Sequence, residues 1–565
     1  MASDAGRNDR VTGGEAAVLS LQAHGVKHVF GLCGDTSLPF YDALARLDHG
    51  MTHILSRDER SSGYMADAYA RVSGRVGVCE GPSGGGATYI LPGVVEANES
   101  SSAVVAITSD VPVTSRGKYP LTELDQTAMF RPLTKWAGTI DHAAQIPQSF
   151  RKAFRAATTG RPGAAHVALP YDLQKQELDR AEIWAQPQHG AFPAFRTGGD
   201  PEMVAEAAEV IAGAKRPVII SGGGVVISRA MEELEALAVL LDAPVASTVS
   251  GHGAISDDHP LAVGVVGANG GVEATREVVQ EADCVIFIGC RAGSTTTENW
   301  RVPARSVKIV HIDIDPMVVG ANYRCDAGVV GDAKLVLAAL LGRLAARPGG
   351  AAALRLEAMR AKKWARFDEL ARSTERPIRP ERVLAALQKH LPADGIVAAD
   401  PGTPCPYFSG YFRFPTAGRH FITNRAHGAL GFSLAAGIGA WFARPEAQVV
   451  SVMGDGSFGF AVGEMETLTR MGVPLKMIVF ANGSYGWIKA SQQSGYGARY
   501  FSVDFTHSNH ARIAEAYGVK AWRVEDPEAV EGAIRDALAH DGPALVDVAS
   551  QPLQESGVPV SQWMG

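Results

Sequence analysis

Two side chains able to bind a cation follow consecutive apolar runs in the last third of the chain. Asp455 follows the run Val449–Met453, and Asn482 follows the run Leu475–Ala481. Both runs are predicted strands, and a helix is predicted between them over Phe458–Arg470. In a right-handed βαβ unit the two parallel strands end at the same edge of the sheet. Ligands of open parallel sheets bind outside that edge, so we expect Asp455 and Asn482 in one crevice.

The residue types at this edge suit a metal ion and a phosphate. A carboxylate, a carboxamide oxygen and a backbone carbonyl are hard donors for Mg²⁺ or Ca²⁺. Gly454, Gly456 and the start of the following helix can present N–H groups to a phosphate, with Ser457 in the same turn. The alternative is a tight Gly-Asp-Gly turn and an ordinary loop at Asn482. The helix-length gap between the two segments favours the binding site.

A candidate acid stands near the start of a predicted helix in the first third. The segment Thr52–Ala70 reads THILSRDERSSGYMADAYA, a strand end followed by a helix that contains Glu59. A carboxyl group that reaches into a mostly apolar cleft has its pKa raised by desolvation, which suits proton sharing. The alternative is that Asp58, Glu59 and Arg60 form a solvated run of charges at the helix start.

Short runs rich in Val and Ile alternate with helical patterns along the whole chain. Continuous apolar strands separated by helices indicate parallel sheets that are covered on both faces. We therefore predict an α/β protein of three doubly wound domains with mainly parallel sheets. Besides the two strands above, the predicted strands are Val26–Gly31, Val76–Cys79, Val104–Thr108, Ala165–Leu169, Val218–Ser221, Cys284–Gly289, Lys308–Ile312, Gly395–Ala399 and Ala544–Val548.

Two stretches without an apolar period, Ala185–Asp200 and Ala345–Ala353, read as linkers. They place an N-terminal domain at 10–184, a central domain at 200–345, a third domain at 376–550 and a C-terminal tail at 551–565. A length of 565 residues agrees with three or four domains at roughly 150 residues each.

Composition narrows the function classes. The net charge of −7 argues against a general nucleic-acid binder, which needs a basic surface. The six cysteines are scattered without CxxC pairs, so neither a zinc site nor a disulfide framework is expected. The segment Met1–Arg10 is polar and lacks the apolar core of a signal peptide. No apolar stretch approaches the roughly 20 residues of a membrane span, and a cytoplasmic location is the expectation.

The GDG…N pattern resembles the diphosphate and metal motif of thiamine-diphosphate-dependent enzymes. The similarity covers nearly the whole chain and is greatest to the acetolactate synthase-like group, which includes 2-hydroxyacyl-CoA lyases and oxalyl-CoA decarboxylases. The resemblance implies that the side chains of Asp455 and Asn482 bind Mg²⁺, with the backbone oxygen of Ser484 as third ligand. Thr403, after Gly402, matches a loop that holds the diphosphate from the other side.

In the first domain, Glu59 matches the glutamate that hydrogen-bonds N1′ of the aminopyrimidine in this family, a role in proton transfer. The following segments YARVSGRVGV and GPSGGGAT also resemble the family. The turn Gly31–Asp35 matches a family turn that faces the thiazolium. Asp35 in it resembles the aspartate of pyruvate decarboxylase-type enzymes and is either a proton-transfer group or a helix N-cap.

Four further positions stand at family sites with less distinct roles. Leu430 matches the bulky residue that props the cofactor into a bent shape, with a plain core residue as the alternative. His427 replaces a residue that is usually apolar in the synthases, and it is either a proton donor or a surface histidine. Gln126 is an active-site glutamine or a polar residue in a surface turn. Gln493 falls where the CoA lyases carry a catalytic glutamate.

Several substrate-facing positions depart from the family. Thr403-Pro404 stands where acetolactate synthases have Gln-His, and Ser491 stands where they have a tryptophan. The histidine pair of pyruvate decarboxylase-type enzymes is replaced by the segment Ser115–Lys118. In relatives the central domain binds FAD, an adenine nucleotide or nothing. The glycine turn Ser221–Gly224, the segment HIDIDP and Arg291 form a weak nucleotide signal there.

The resemblance implies a pyrimidine-binding, a central and a diphosphate-binding domain, in a homodimer or homotetramer with active sites at the subunit interface. The expected reaction is decarboxylation of a 2-oxo acid, with release or carboligation of the acyl fragment. A 2-hydroxyacyl-CoA lyase or oxalyl-CoA decarboxylase activity is the alternative, and a non-catalytic scaffold is a more remote one.

Overall fold

A computed structural model of the protein describes residues 9–557. The first eight residues of the polar N-terminal segment and residues 558–565 of the predicted tail lie outside that range. Within it the chain forms three six-stranded sheets and one two-stranded sheet. Every strand pair in the three large sheets is parallel, and the small sheet is an antiparallel pair of β1 (Arg10–Thr12) with β8 (Glu177–Asp179).

The first large sheet is built from the N-terminal third. Its strands are β2 (His28–Gly31), β3 (Thr52–Leu55), β4 (Gly77–Gly81), β5 (Val104–Asp110), β6 (Trp136–Thr139) and β7 (Ala164–Pro170). The helices of this third are α1 (Gly13–Ala23), α2 (Leu38–Arg46), α3 (Glu59–Ser73), α4 (Gly85–Tyr89), α5 (Leu91–Glu99), α6 (Gln126–Phe130) and α7 (Ile146–Thr158). Helix α3 shows why the boundaries fall as they do. The Asp58 side chain accepts from the Arg60 N–H at its start, and Gly74 ends it with φ +69°.

The second large sheet is built from the middle third. Its strands are β9 (Pro217–Ser221), β10 (Val245–Ser247), β11 (Ala262–Val265), β12 (Cys284–Ile288), β13 (Lys308–Asp313) and β14 (Ala327–Val330). The helices are α8 (Pro201–Gly213), α9 (Gly223–Ser228), α10 (Met231–Leu241), α11 (Glu273–Gln280), α12 (Ser294–Thr297), α13 (Ala333–Leu341) and α14 (Ala351–Ala371).

The third large sheet is built from the last third. Its strands are β15 (Ile396–Ala399), β16 (Phe421–Thr423), β17 (Val449–Gly454), β18 (Lys476–Ala481), β19 (Lys520–Val524) and β20 (Ala544–Ala549). The helices are α15 (Pro380–His390), α16 (Pro404–Tyr411), α17 (Phe432–Ala443), α18 (Asp455–Ala461), α19 (Glu464–Met471), α20 (Gly486–Gly495), α21 (His510–Ala516), α22 (Val530–Ala539) and α23 (Leu553–Ser556). The single helix predicted over Phe458–Arg470 is wrong, because the structure has two short helices there, separated at Val462 and Gly463.

The strand order fixes where each sheet has its crevice. The first sheet has the order β3-β2-β4-β5-β7-β6, and the third repeats it as β16-β15-β17-β18-β20-β19. The second has β11-β10-β9-β12-β13-β14, the order of dinucleotide-binding folds. Successive strands are added towards one edge of each sheet and then towards the other. This reversal falls between β2 and β4, between β9 and β12, and between β15 and β17. Ligands of such sheets bind at these switch points. The predicted fold class, three doubly wound α/β domains, is confirmed.

The chain divides into two compact units. The first comprises the residues up to Phe195 together with Ala426–Glu446 and Ala461–Val473, and the second comprises the remainder. In the first unit α17 packs closely on α3, where a Cβ at Gly439 would lie 2.1 Å from the Met65 carbonyl oxygen. Residues 9–557 contain no helix that is long and apolar enough to cross a membrane.

Candidate functional site

The loops after β15 and β17 meet at the switch point of the third sheet. The two strands are neighbours, with Ala399 paired to Val452 near their carboxyl ends. Gly402, in the loop after β15, has φ +92°, a left-handed conformation that favours glycine. A Cβ there would meet no atom within 4 Å, so the backbone conformation, rather than lack of space, calls for glycine. Thr403 follows and is buried.

Asp455 is the first residue of α18, and its carboxylate organises the next strand end. Its Oδ2 accepts from the backbone N–H of Asn482 at 2.8 Å and of Gly483 at 2.7 Å, and its Oδ1 accepts from the Gly456 N–H at 2.9 Å. The predicted convergence of Asp455 and Asn482 is therefore present. Burial raises the pKa of Asp455, and the three N–H donors oppose that rise. The Gly456 N–H, expected to face a phosphate, is already used by Asp455.

The Asn482 side chain links the loops of the site. Its Nδ2 donates to the Thr403 hydroxyl oxygen at 3.4 Å, and its Oδ1 accepts from the Ser484 backbone N–H at 3.1 Å. A Cβ at Gly486 would lie 3.0 Å from the Thr403 hydroxyl oxygen, so the start of α20 approaches closely as well. Three loops of one sheet edge thus converge on Thr403 and Asn482.

This donor set fits a hard divalent cation that carries a phosphate group. Asp455 is 7% exposed, and in the part of the chain that the structure describes it forms no ion pair with Lys, Arg or His. A buried carboxylate without a cation is costly, and a metal ion would compensate for it. Ser457 and Ser484 are also buried beside it, and a Cβ at Gly454 would meet open space.

In the first unit, Glu59 is buried at the start of α3, with 7% of its surface exposed. Two glycines approach it, since a Cβ at Gly86 in α4 would lie 3.2 Å from its Oε1 and one at Gly81, the last residue of β4, 3.4 Å from its Cγ. Burial raises the pKa of Glu59. The solvated-run interpretation is wrong for Glu59, although Asp58 and Arg60 do form a half-exposed ion pair at 2.6 Å.

Asp35 is exposed, in the turn after β2. The residue that caps the 3₁₀ turn Asp35–Ser37 is Gly34, whose N–H donates to the Ser37 hydroxyl at 3.0 Å. The N-cap alternative for Asp35 is therefore wrong, and its proton-transfer role stays a prediction.

Gln126 is buried, with 2% of its surface exposed, so the surface-turn alternative is wrong. Its Nε2 donates to the Ser109 carbonyl oxygen at 2.9 Å and to Asp110 Oδ1 at 3.3 Å, while its Oε1 accepts from the Thr108 hydroxyl. These contacts hold Gln126 against the carboxyl end of β5.

The other three candidates are more accessible. The side chains of His427 and Gln493 are exposed, and Leu430 is half-buried rather than a core residue. The His427 backbone N–H donates to Glu96 Oε2 at 2.7 Å, and the buried Glu96 also pairs with Arg71 at 2.9 Å. The loop that carries His427 and Leu430 is therefore anchored to α3 and α5 within the first unit.

Models of three protein families match the chain in sequence order. The N-terminal thiamine pyrophosphate binding domain matches residues 11–129, the central domain of thiamine pyrophosphate enzymes matches 204–340, and the C-terminal thiamine pyrophosphate binding domain matches 400–548. The chain belongs to the thiamine pyrophosphate enzyme family. Thiamine pyrophosphate is the cofactor called thiamine diphosphate above.

Relatives along the full length narrow the group. A probable acetolactate synthase large subunit from Methanocaldococcus jannaschii is 38% identical over 559 residues, which cover 96% of this chain and 92% of the relative. The acetolactate synthase of Arthrospira platensis is 31% identical over 566 residues, covering 95% and 94%. The acetolactate synthase large subunit of Haemophilus influenzae is 31% identical over 541 residues, covering 94% and 92%. The expected resemblance to the acetolactate synthase-like group is confirmed.

In this thiamine pyrophosphate enzyme, packing explains the glycine turn of the central sheet without a bound nucleotide. A Cβ at Gly222 would lie 2.0 Å from the Gly289 carbonyl oxygen, and one at Gly224 2.7 Å from the Gly289 Cα. The glycines after β9 are therefore required by the close approach of the loop after β12. Arg291 in that loop is exposed.

Sequence reasoning missed a second buried acid near Glu59. Glu80, in β4, is fully buried and accepts from the Tyr41 hydroxyl at 2.6 Å. Its signal was a single glutamate inside the apolar run GVCEG, one residue before the carboxyl end of a central strand.

Proposed function

We propose that the protein is a Mg²⁺-dependent thiamine diphosphate enzyme that decarboxylates a 2-oxo acid and releases its acyl fragment or joins it to a second carbonyl compound. The observation that carries the proposal is the buried carboxylate of Asp455, which lies at the switch point beside Asn482 and Thr403 and forms no ion pair in the described part of the chain. The names of the full-length relatives, all acetolactate synthases, support the reaction class.

When bound, thiamine diphosphate supplies a carbanion that can add to a carbonyl group and stabilise the electrons of a broken C–C bond. Asp455, the Asn482 side chain and the Ser484 backbone oxygen would hold the metal ion, and Gly402 and Thr403 would hold the diphosphate. Burial of Asp455 keeps water from competing for the cation and strengthens the charge interaction. In this proposal Leu430 supports the cofactor.

Glu59 performs the proton transfer. In this proposal its carboxyl group would hydrogen-bond the aminopyrimidine N1′ of the bound cofactor and exchange a proton with that atom. Burial disfavours the charged form and raises the pKa of Glu59 towards the working pH, where a shared proton moves in both directions. Asp35, Gln126, His427 and Gln493 stay proposals for groups that face the substrate.

The enzyme would act as a homodimer or homotetramer, as the family resemblance implies, and sedimentation velocity tests this. The central domain would hold FAD or an adenine nucleotide, supported by its strand order and by Arg291 at its switch point. The absorbance spectrum of the purified protein and of its acid supernatant tests that part, because released flavin or adenine is identified directly. A supernatant that contains neither flavin nor adenine would contradict the proposed nucleotide site.

The reaction is tested with pyruvate and longer 2-oxo acids, with and without an aldehyde or a second 2-oxo acid as acceptor. We expect CO₂ together with an aldehyde or an acyloin-type product, and loss of both in Glu59→Gln. A parallel set contains 2-hydroxyacyl-CoA and oxalyl-CoA thioesters. Turnover of that set alone would replace the proposal by the CoA lyase or oxalyl-CoA decarboxylase alternative, which the names of the relatives do not favour.

A further inference from the structure

A chain of three hydrogen-bonded titratable groups lies at the switch point of the first sheet. The Tyr41 hydroxyl is 2.6 Å from Glu80 Oε2 and 3.0 Å from His53 Nε2. Glu80 is fully buried at the end of β4, and His53, in the edge strand β3, is half-buried. A Cβ at Gly31 would lie 3.0 Å from both Glu80 Oε2 and the Tyr41 oxygen, so the end of β2 packs directly on this chain.

We propose that Glu80, Tyr41 and His53 form a proton-transfer chain that loads a proton onto Glu80 from the more exposed ring of His53 and so sets the charge next to Glu59. The proposal rests on the proposed role of Glu59 in proton transfer.

The hydrogen count of Tyr41 gives the chain two states. Tyr41 has one hydroxyl hydrogen, so it donates either to Glu80 or to His53. With Glu80 ionised, Tyr41 donates to Glu80 and His53 donates from Nε2. With Glu80 protonated, Glu80 donates to Tyr41, and Tyr41 donates to the bare Nε2 of His53.

One proton shift along each bond converts these states. Starting from a His53 imidazolium, the Nε2–H bond breaks as a new O–H bond forms on Tyr41. The former Tyr41 O–H bond breaks as an O–H bond forms on Glu80 Oε2. His53 keeps its Nδ1 proton and becomes neutral, so charge and atoms balance without another reactant.

The surroundings favour the protonated state of Glu80. Among the described residues its Oε1 has no hydrogen-bond partner, which is far less costly for a neutral carboxyl oxygen than for a carboxylate. Burial raises the pKa of Glu80 to about 8, with a smaller contribution from the charge of Glu59, although hydrogen bonds from Tyr41 and Ser37 oppose the rise.

The other groups that face the chain are the Cys33 thiol, the Glu59 carboxyl group and one permanent cation, Arg470. The ionised Glu80 raises the pKa of the Cys33 thiol and of the Tyr41 hydroxyl, after the effect of burial. Burial, together with a smaller contribution from Arg470 on α19, lowers the pKa of His53 to about 4. His53 therefore passes protons and does not store them, while Glu80 stores one.

Ionised carboxylates raise each other's proton affinity, and this coupling is reciprocal. When Glu80 releases its proton to His53, the proton affinity of Glu59 rises. When Glu80 takes the proton back, the affinity of Glu59 falls. The chain thus adjusts the group that we assign to proton transfer without touching the substrate, which makes Glu80 a positioning residue.

Infrared spectroscopy of the full-length protein tests the chain, with and without thiamine diphosphate and Mg²⁺. We expect the carbonyl band of a protonated carboxylic acid that disappears with a midpoint near pH 8 and is missing in Glu80→Gln. Tyr41→Phe removes the hydrogen bond that favours the ionised form, so the midpoint moves upward. Tyr171→Phe is the matched control, because it removes a hydroxyl that contacts Lys175 instead, and it should leave the band unchanged.

The second measurement is the pH dependence of turnover. Glu80→Gln should lose the change of rate near pH 8, which a merely structural role would not remove. A band that persists in Glu80→Gln, or a pH profile that matches the wild type, overturns the proposal. If Glu80→Gln does not fold, the test rests on Tyr41→Phe, and an unchanged midpoint of the infrared band in that variant overturns the proposal. The infrared result needs no substrate, so it stands or fails separately from the proposed reaction.

Discussion

Replacement of Asp455 by Asn separates its structural role from its role as a metal ligand. An amide has one oxygen, whereas the carboxylate accepts three N–H groups on two oxygens. If the amide oxygen keeps the two bonds from Asn482 and Gly483, the Gly456 N–H faces an NH₂ group. One buried donor without a partner costs about 1–3 kcal/mol, and removal of a buried charge offsets part of that cost.

Ligand binding should suffer far more than folding. At a free concentration of 100 times Kd, a ligand stabilises the native state by about 2.7 kcal/mol, and at 1,000 times Kd by about 4.1 kcal/mol. Asp455→Asn removes the only acidic ligand proposed for the metal. We therefore expect this stabilisation to fall towards zero at the same ligand concentration, while the cofactor-free protein loses no more than about 1–3 kcal/mol.

Thermal unfolding with and without thiamine diphosphate and Mg²⁺ measures both quantities, and calorimetry gives the affinity directly. Asp536→Asn is the matched control, because it removes an exposed carboxylate on α22 in the same unit. If the ligands raise the Tm of Asp455→Asn as much as they raise that of the wild type, the assignment of Asp455 to the metal is refuted.

Three further predictions follow from the site. Glu59→Gln should lower kcat by about 10²–10⁴-fold with cofactor affinity nearly unchanged, and kcat near wild type would assign the proton transfer elsewhere. Asn482→Ala loses the bond to Thr403 and a proposed metal ligand, so titration calorimetry should show weaker cofactor binding that depends on excess Mg²⁺. Unchanged affinity in the presence of a chelator would contradict this. Burial raises the pKa of Glu80 from an ordinary 4.5 to about 8, so the folded state keeps a proton that the unfolded state releases. Wild-type stability should fall as pH rises through that window, and Glu80→Gln should gain Tm relative to wild type there; parallel melting curves would contradict it.

The fold was predictable where strands are buried on both faces. The strand runs predicted from sequence, such as Val104–Thr108 and Ala544–Val548, all correspond to strands of the structure. Most of the strands without a prediction lie at sheet edges, such as β6 (Trp136–Thr139) and β19 (Lys520–Val524), where one side lacks a partner strand and the residues are less apolar. Strand order was not readable, because it depends on contacts between residues far apart in sequence.

The site was predictable where a motif carries its own geometry. A Gly-Asp-Gly turn after one strand and an Asn after the next led to a crevice that the structure contains. The alternative that Gln126 lies in a surface turn was wrong. Its neighbours in sequence are polar, but its hydrogen bonds are to residues of β5. Glu80 was missed because Tyr41 and His53, which form a hydrogen-bonded chain with it, lie on other elements, and no local sequence pattern predicts these contacts.

The shared strand order of the first and third sheets gives the protein two equivalent crevices that are lined by different polar groups. The switch point of the first sheet collects the carboxyl groups of Glu59 and Glu80 with raised pKa values, which suits the storage and transfer of protons. A diphosphate would be repelled there once either group ionised. The switch point of the third sheet instead offers hydroxyl and amide groups around the carboxylate of Asp455, which a cation can neutralise. One topology therefore suits the proton transfer that we propose for one sheet and the anion binding that we propose for the other, because the residues after the equivalent strands differ.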